Sequence, residues 1–158
     1  MASVLESCTY FVSNRLARET EKIAKKVYQP TGMNPTYSYV LMAIDEKKTV
    51  LLHDLADLMD YSPSTMSRFV DSLVKKGYVA RDYQWRKVAL SLTDSGTEMV
   101  KITYQCLAKM DQETCRVFGS AEQRDRVVAN LNEWTTTIET KANKNPLTVK
   151  VSGFLLFS

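Results

Sequence analysis

The hydrophobic spacing of residues 52–92 changes once along the chain, and this change constrains the fold more than any other feature. Up to Gly77, apolar residues recur every three or four positions, as they do in amphipathic helices. From Tyr78 to Leu92, apolar and polar residues alternate in two stretches that are separated by residues 84–87. Such alternation is typical of two strands joined in a hairpin. The pattern therefore predicts two short helices followed by a β-hairpin.

Capping signals place the ends of these two helices. Ser62 and Pro63 are typical of a helix start, because the serine hydroxyl can accept an N–H bond and proline lacks an N–H that would be unpaired there. The break before them contains no glycine, so we expect Asp60 to take the left-handed conformation at modest cost. Gly77 is expected to end the second helix in the same conformation. The small side chain of Ala56 allows the two helices to cross closely.

Long helices are predicted on both sides of this segment. Helical spacing predicts one helix over residues 3–29, a buried helix after Asn34, and two long helices within residues 93–143. The five glycines and four prolines of the 158-residue chain agree with few, long elements. The fold class is therefore mainly α with a small β-hairpin, in a single domain of residues 1–146. The apolar segment 147–158 has no predicted role.

Positive charge is concentrated in residues 61–88. This window contains six Lys or Arg and two Asp, a net charge of +4, whereas the whole chain has a net charge of +3. A basic patch on a nearly neutral chain indicates a surface that binds a polyanion.

The polar face of the second short helix and the tip of the hairpin carry residue types that bind DNA. An α-helix fits the major groove, where hydroxyl and guanidinium groups can bind base edges or phosphates. The hairpin tip is placed to reach a neighbouring groove or phosphates. The candidate DNA-binding residues are Ser62, Ser64, Thr65, Ser67, Arg68 and Lys75 on the helix, and Gln84, Trp85, Arg86 and Lys87 at the tip.

The residue types that catalysis and metal binding require are scarce. His53 is the only histidine, and Cys8, Cys106 and Cys115 are widely spaced without a C-x-x-C motif. We therefore expect no enzyme activity, no metal site and no cofactor. The longest apolar run, residues 39–44, is too short to cross a bilayer, and the N-terminus lacks the pattern of a secretory signal. These features predict a cytoplasmic protein with no membrane partner.

The order of these elements and many of their residues resemble the MarR family of winged helix-turn-helix transcriptional regulators. The similarity covers about residues 12–141. It is carried by Leu55–Met59, Ser62–Val79, Arg86, Leu90–Thr93 and Gly96, and by Asn34–Tyr37 at the start of the second predicted helix. The chain departs from the family in a shorter wing and in Gln84, where the family has an aspartate two residues before its wing arginine.

The resemblance implies a homodimeric DNA-binding repressor. The winged helix-turn-helix part corresponds to residues 34–92, and the helices within residues 3–29 and 93–143 correspond to a dimerisation stem. Such a dimer binds a DNA operator of two-fold symmetry, and a small ligand or an oxidant releases it. The alternative is a winged-helix module that binds another protein without contacting DNA.

The resemblance also implies candidate sensing residues. Some redox-sensing members carry a reactive cysteine at the position of Cys8, facing a tyrosine whose position Tyr37 matches. Other members bind small phenolic or lipophilic effectors between the stem and the DNA-binding part, which makes Tyr37 and Tyr39 candidate pocket residues. The alternatives are that Cys8 is one more apolar residue of the dimer interface and that the two tyrosines belong to the core.

Overall fold

The computed structural model describes residues 3–84 and 87–144. The chain divides into two compact units, Met1–Glu113 and Thr114–Ser158. The elements, in chain order, are α1 (Val4–Ser7), α2 (Thr9–Val27), a 3₁₀ turn (Gln29–Thr31), α3 (Pro35–Lys47), β1 (Val50–Leu51), α4 (Leu52–Leu58), α5 (Pro63–Lys75), β2 (Val79–Gln84), β3 (Lys87–Leu92), α6 (Asp94–Phe118) and α7 (Ala121–Lys144). Helix α6 begins in the first unit and ends in the second.

The prediction of one continuous helix over residues 3–29 is wrong. The predicted capping box at Ser3 and Glu6 is present, but α1 ends at Ser7 because Cys8 has an extended backbone with φ −89° and ψ 113°. Serine, cysteine and threonine are all weak helix formers, and the Ser7 hydroxyl donates to the Val4 carbonyl oxygen at 3.0 Å. Three such residues in succession, all exposed, explain why the helix is interrupted here.

The turn between α4 and α5 forms as predicted. Asp60 has φ 54°, and the following residue, Tyr61, donates its backbone N–H to the Ala56 carbonyl oxygen at 3.0 Å. The Ser62 side chain then caps α5 by accepting the N–H of Thr65. Because Ala56 is completely buried, α4 can pack closely against α5 at this point.

The hairpin belongs to a three-stranded antiparallel sheet with the order β1-β3-β2. In the hairpin, Val79 pairs with Leu92 and Gln84 pairs with Lys87. The third strand, β1, pairs Val50 with Leu90 and was not predicted to join the sheet. The mainly helical fold class with a small β wing is confirmed.

Two groups of buried side chains form the core. The larger one joins α3, α4, α5, the sheet and α6, and its members include Leu41, Ile44, Leu55, Met66, Val70, Leu73, Val79, Leu90 and Val100. The smaller one joins the end of α2 to α6 and contains Ala24, Val27, Tyr28, Cys106 and Met110. Among the described residues, no helix is both long enough and apolar enough to cross a membrane.

The second unit contains the end of α6 and all of α7. Gly119, with φ 93°, separates the two helices, and the Ser120 hydroxyl accepts the N–H of Gln123 at 3.1 Å. Four large apolar residues of α7 are exposed: Val128, Leu131, Trp134 and Ile138.

Candidate nucleic-acid interface

Helix α5 separates a buried apolar face from an exposed polar face. Met66, Val70 and Leu73 are fully buried. Of the candidate residues on the opposite side, Ser62, Ser64, Arg68 and Lys75 are exposed, whereas Thr65 and Ser67 are half-buried. Within the described part of the chain, neither Arg68 nor Lys75 forms an ion pair. Helix α5 therefore presents two unpaired positive charges to its surroundings.

Hydroxyl groups cluster at the start of α5. The Ser62 hydroxyl lies 3.1 Å from the Ser64 hydroxyl and 2.8 Å from the Thr65 hydroxyl. It also accepts the backbone N–H of Thr65 at 3.2 Å. Exposed hydroxyls and backbone N–H groups at the start of a helix are the groups with which a protein binds phosphate. Of these contacts, the sequence predicted the cap at Ser62, which the structure confirms.

Aromatic side chains hold α5 in place from two directions. The ring of Phe69 contacts Tyr37 of α3 at a centroid distance of 5.5 Å and Tyr61 of the turn at 5.2 Å, both edge to face. The Tyr37 hydroxyl lies 3.5 Å from the hydroxyl of Ser72 on α5. Edge-to-face pairs stabilise by about 0.5–1.5 kcal/mol beyond their buried area. Tyr37 therefore supports the position of α5.

An ion pair joins α5 to the wing, and sequence reasoning missed it. Arg81 of β2 places Nη1 2.6 Å from Oδ1 of Asp71, and its Nη2 donates to the Ser67 carbonyl oxygen at 3.3 Å. Arg81 is one of the six cations of the basic patch, and the structure pairs its charge with that of Asp71. The alternation of β2 did indicate that Arg81 points inward, because Arg81 shares a strand face with Val79, which is buried.

The hairpin tip is described only in part. Lys87 is exposed at the start of β3, where it pairs with Gln84 of β2. Tyr83 is 71% exposed next to it. Trp85 and Arg86 lie outside the described residues, and only the backbone of Gln84 is described. Lys87 is therefore the candidate tip residue for which the structure gives a side-chain environment.

The candidate sensing residues lie in different surroundings. Cys8 is exposed between α1 and α2. Tyr37 contacts Phe69, whereas the Tyr39 ring lies 5.6 Å from that of Tyr28. The two α3 tyrosines therefore contact different aromatic side chains.

Tyr28 is a buried polar residue that sequence reasoning missed. Its side chain is completely buried, and among the described residues its hydroxyl has no hydrogen-bond partner of good geometry. Burial, followed by the neighbouring Tyr39 hydroxyl, raises the pKa of Tyr28 above its ordinary value. Burial likewise raises the pKa of the Cys106 thiol. Cys106 belongs to the core, as its place on the apolar stripe of α6 predicted.

Neither His53 nor the acidic and sulfur-containing residues form a metal centre in the described part of the chain. No group of three or more His, Cys, Asp or Glu residues there could hold a metal ion. The Nε2 atom of His53 lies 3.3 Å from Oδ2 of Asp57, and both side chains are exposed.

Comparison with known proteins identifies the helix-turn-helix region. The sequence profile of the MarR family matches residues 31–82, which extend from the 3₁₀ turn into β2. No curated protein sequence matches the chain.

Solved structures share the fold over most of the chain. S. aureus MepR in complex with DNA is 18% identical with a TM-score of 0.73, and the match covers 84% of this chain and 99% of MepR. CouR from Rhodococcus jostii RHA1, bound to p-coumaroyl-CoA, is 23% identical with a TM-score of 0.70, covering 87% of this chain and 95% of CouR. BpsR of Bordetella bronchiseptica, whose DNA binding is regulated by 6-hydroxynicotinic acid, is 16% identical with a TM-score of 0.76, covering 86% of this chain and 99% of BpsR.

These findings agree with the helix-turn-helix, the wing and the element order described above. The family match over residues 31–82 agrees with the expectation of a non-enzymatic protein. Residues 31–82 therefore match the MarR family of regulators, and the solved structures show that the chain shares their winged helix-turn-helix fold.

Proposed function

We propose that this protein is a homodimeric repressor of transcription that binds double-stranded DNA in a sequence-specific manner and acts in the cytoplasm. The observation that carries the proposal is the exposed face of α5, where Arg68 has no ion-pair partner in the described chain and lies one turn from the hydroxyl cluster of Ser62, Ser64 and Thr65. A guanidinium group and short hydroxyls on one exposed helix face are suited to base edges and phosphates.

The length and surroundings of α5 support its role as the recognition helix. Its 13 residues correspond to about 20 Å, which is enough to lie along the major groove. Its opposite face is fixed by buried Met66, Val70 and Leu73, so the polar face cannot turn inward. The fold shared with MepR in complex with DNA agrees with this assignment.

Exposed apolar residues on the long helices support the dimer. On α7, Leu131 is 41% exposed and both Trp134 and Ile138 are 62% exposed, while on α2 Tyr10 is 79% exposed. Apolar side chains aligned along a helix face indicate a surface that another protein covers. We propose that a second copy of this chain covers them, with the stem formed from residues 3–29 and 93–143 and the DNA-binding part from residues 34–92.

A dimer of this kind requires an operator of matching symmetry. Two α5 helices related by a two-fold axis read half-sites whose centres lie about 10–10.5 base pairs apart, or a multiple of that spacing. The exposed Lys87 and the neighbouring Arg86 are proposed to bind phosphates or the minor groove beside each half-site. We expect Trp85 and Gln84 to contribute at the same tip, and Ser67 and Lys75 to contribute on α5.

A small ligand or an oxidant is proposed to release the repressor. Two proteins with this fold are described with an aromatic ligand, p-coumaroyl-CoA for CouR and 6-hydroxynicotinic acid for BpsR. In this chain, the half-buried Tyr37 and the partly exposed Tyr39 are the proposed ligand contacts. The exposed Cys8 is the proposed site of oxidation.

Selection from a randomised duplex library tests the proposal directly. The full chain should enrich a two-fold symmetric sequence, and gel shifts with that duplex should weaken steeply as salt rises, because Lys and Arg displace counterions from phosphates. A footprint should then cover both half-sites. If the chain enriches no sequence and gives no salt-dependent shift, it is not a DNA-binding regulator, and a winged-helix module that binds protein becomes the better account.

A further inference from the structure

We infer that Arg81 is a positioning residue, which holds the wing at a fixed angle to α5 through Asp71 and does not itself contact DNA. This inference rests on the proposed function, since it concerns how the two DNA-contacting elements are kept in register. The ion pair then contributes to the preference for a particular DNA sequence and not to the attraction of phosphates.

The geometry of Arg81 spans one turn of α5. Its Nη1 lies 2.6 Å from Oδ1 of Asp71, and its Nη2 donates to the Ser67 carbonyl oxygen at 3.3 Å. Ser67 and Asp71 are four residues apart and therefore lie one above the other on the same helix face. A planar guanidinium that contacts both at once fixes the direction of β2 relative to the axis of α5, which a single contact does not do.

The burial of Arg81 separates its role from that of the exposed cations. Its side chain is 16% exposed, and both of its terminal nitrogen atoms already contact α5. Arg68 and Lys75, by contrast, are exposed and have no ion-pair partner among the described residues. Arg81 is therefore not free to displace a counterion from DNA.

Arg81 lies near the base of the wing, so a small rotation there displaces the end of β2 by a larger distance. Arg81 pairs with Leu90, which is fully buried, whereas Gln84 at the end of β2 lies three residues further along. At about 3.3 Å per residue, a rotation of about 10° at Arg81 moves the end of the strand by about 2 Å. Such a displacement is enough to take a side chain at the tip out of hydrogen-bond distance of a phosphate or a base.

Asp71 allows positioning to be distinguished from simple electrostatics. Its side chain is 57% exposed on the polar side of α5 and carries a negative charge next to the proposed DNA surface. Coulomb repulsion alone predicts that Asp71→Asn strengthens binding to every DNA sequence. Loss of positioning predicts instead that the same change weakens binding to the preferred sequence, so the two effects have opposite signs.

The test compares four variants, Asp71→Asn, Arg81→Met, Arg81→Lys and the double variant Asp71→Asn with Arg81→Met. The probes are the duplex that the wild-type chain enriches from a randomised library and an unrelated duplex of the same length. We expect each single change to weaken binding to the enriched duplex by about 5–20-fold, and the double variant to lose no more than either single one. Binding to the unrelated duplex should stay the same, or tighten for Asp71→Asn. The salt slope of Arg81→Met should equal that of the wild type.

Lys101→Met is the matched control, because it breaks the exposed Lys101–Glu98 pair of α6 and should leave both affinities unchanged. Circular dichroism at the temperature of the binding assay confirms that each variant is folded. A salt slope lowered by about 1 per subunit in Arg81→Met would make Arg81 a phosphate contact and overturn the inference. Tighter binding of Asp71→Asn to both duplexes would overturn it as well. If the wild-type chain enriches no sequence, the proposed function fails and the inference fails with it.

Discussion

Gly96, in the first turn of α6, lies so close to the backbone carbonyl of Tyr78 that no side chain fits between them. A Cβ atom at Gly96 would overlap the Tyr78 carbonyl oxygen, which is backbone and cannot turn aside. The neighbouring Thr93 strengthens the same junction, because its hydroxyl donates to the Gly77 carbonyl oxygen at 2.6 Å and its N–H donates to the Tyr78 carbonyl oxygen at 3.1 Å. The absence of a side chain at Gly96 thus sets where the long helix leaves the wing.

We therefore expect Gly96→Ala to destabilise the protein although alanine is the better helix former. Overpacking costs about 1–3 kcal/mol, and we expect the upper end of that range here because the overlapped atom is backbone. This cost exceeds the gain in helix propensity of about 1 kcal/mol. Thermal unfolding measures the change. The control is Ser95→Ala, which alters the exposed neighbour and should leave the melting temperature nearly unchanged. Equal melting temperatures for the wild type and Gly96→Ala would contradict the packing described here.

Features set by neighbouring residues were predictable from the sequence. Asp60 takes the left-handed conformation and Ser62 caps α5 because each depends on the few residues beside it. Gly77, which follows the end of α5, has φ 78°, and this conformation also depends on the residues beside it. The alternation in the hairpin predicted the pairing of β2 with β3, since two strands joined by a short loop have few other arrangements.

Features set by distant contacts were not predictable in the same way. The pairing of β1 with β3 joins Val50 to Leu90, forty positions along the chain, and two residues are too few to show a strand period. The ion pair of Arg81 with Asp71 depends on the angle between a helix and a strand, which hydrophobic spacing does not encode. The break at Cys8 was not predicted because the apolar repeat continues across it, although the residues there have low helix propensity.

Tyr28 should make stability depend on pH in the alkaline range. Because its pKa in the folded protein is raised, the unfolded chain loses this proton first, near the ordinary pKa of 10.0. The contribution of Tyr28 to stability is therefore complete below about pH 10 and decreases as the pH rises above that value. Tyr28→Phe should reduce this decrease, as measured by urea unfolding at about pH 8 and about pH 10.5.

At neutral pH, Tyr28→Phe should leave stability unchanged or raise it by up to about 1 kcal/mol, because it removes a buried hydroxyl without a partner of good geometry. Tyr83→Phe is the control, because it removes a hydroxyl from a side chain that is 71% exposed. The same alkaline loss of stability in the wild type and in Tyr28→Phe would argue against the buried state of Tyr28.

Charged substitutions on α7 should dissociate the proposed dimer. Trp134→Glu and Ile138→Glu each place a carboxylate within the exposed apolar stripe, where burial against a second copy becomes unfavourable. Sedimentation at micromolar concentration should show monomers for both variants and dimers for the wild type. Thr136→Glu adds the same charge to the other side of the helix and should remain dimeric. A monomeric wild-type chain would remove the dimer from the proposal.

Oxidation of Cys8 should release the DNA if this exposed thiol is the proposed sensor. Peroxide converts an accessible thiolate to a sulfenic acid and is itself reduced to water. We expect peroxide to weaken operator binding by the wild type but not by Cys8→Ser, as measured by gel shift. Cys115→Ser is the control, because Cys115 is half-buried and should leave the response intact. Equal release from the wild type and Cys8→Ser would show that another group responds.

Arg68 and Arg86 should contribute differently to DNA binding. Arg68 lies on the exposed face of α5, which is proposed to enter the major groove, where each base pair presents a distinct pattern of donors and acceptors. Arg68→Ala should therefore cost about 1–3 kcal/mol per half-site on the enriched operator and much less on unrelated DNA. Arg86 is proposed to bind phosphates, so Arg86→Ala should weaken binding to both duplexes equally and lower the salt slope by about 1 per subunit.

Gel shifts over a salt series with both duplexes separate the two roles of Arg68 and Arg86. Lys101→Ala is the control, because it removes an exposed cation of α6 that already pairs with Glu98 and should alter neither affinity nor slope. An operator-selective loss from Arg86→Ala, together with a sequence-independent loss from Arg68→Ala, would reverse the two assignments. If neither change alters affinity, α5 is not the element that reads DNA. Arg68 is the arginine on the exposed face of α5, and the proposed sequence preference depends on its guanidinium group.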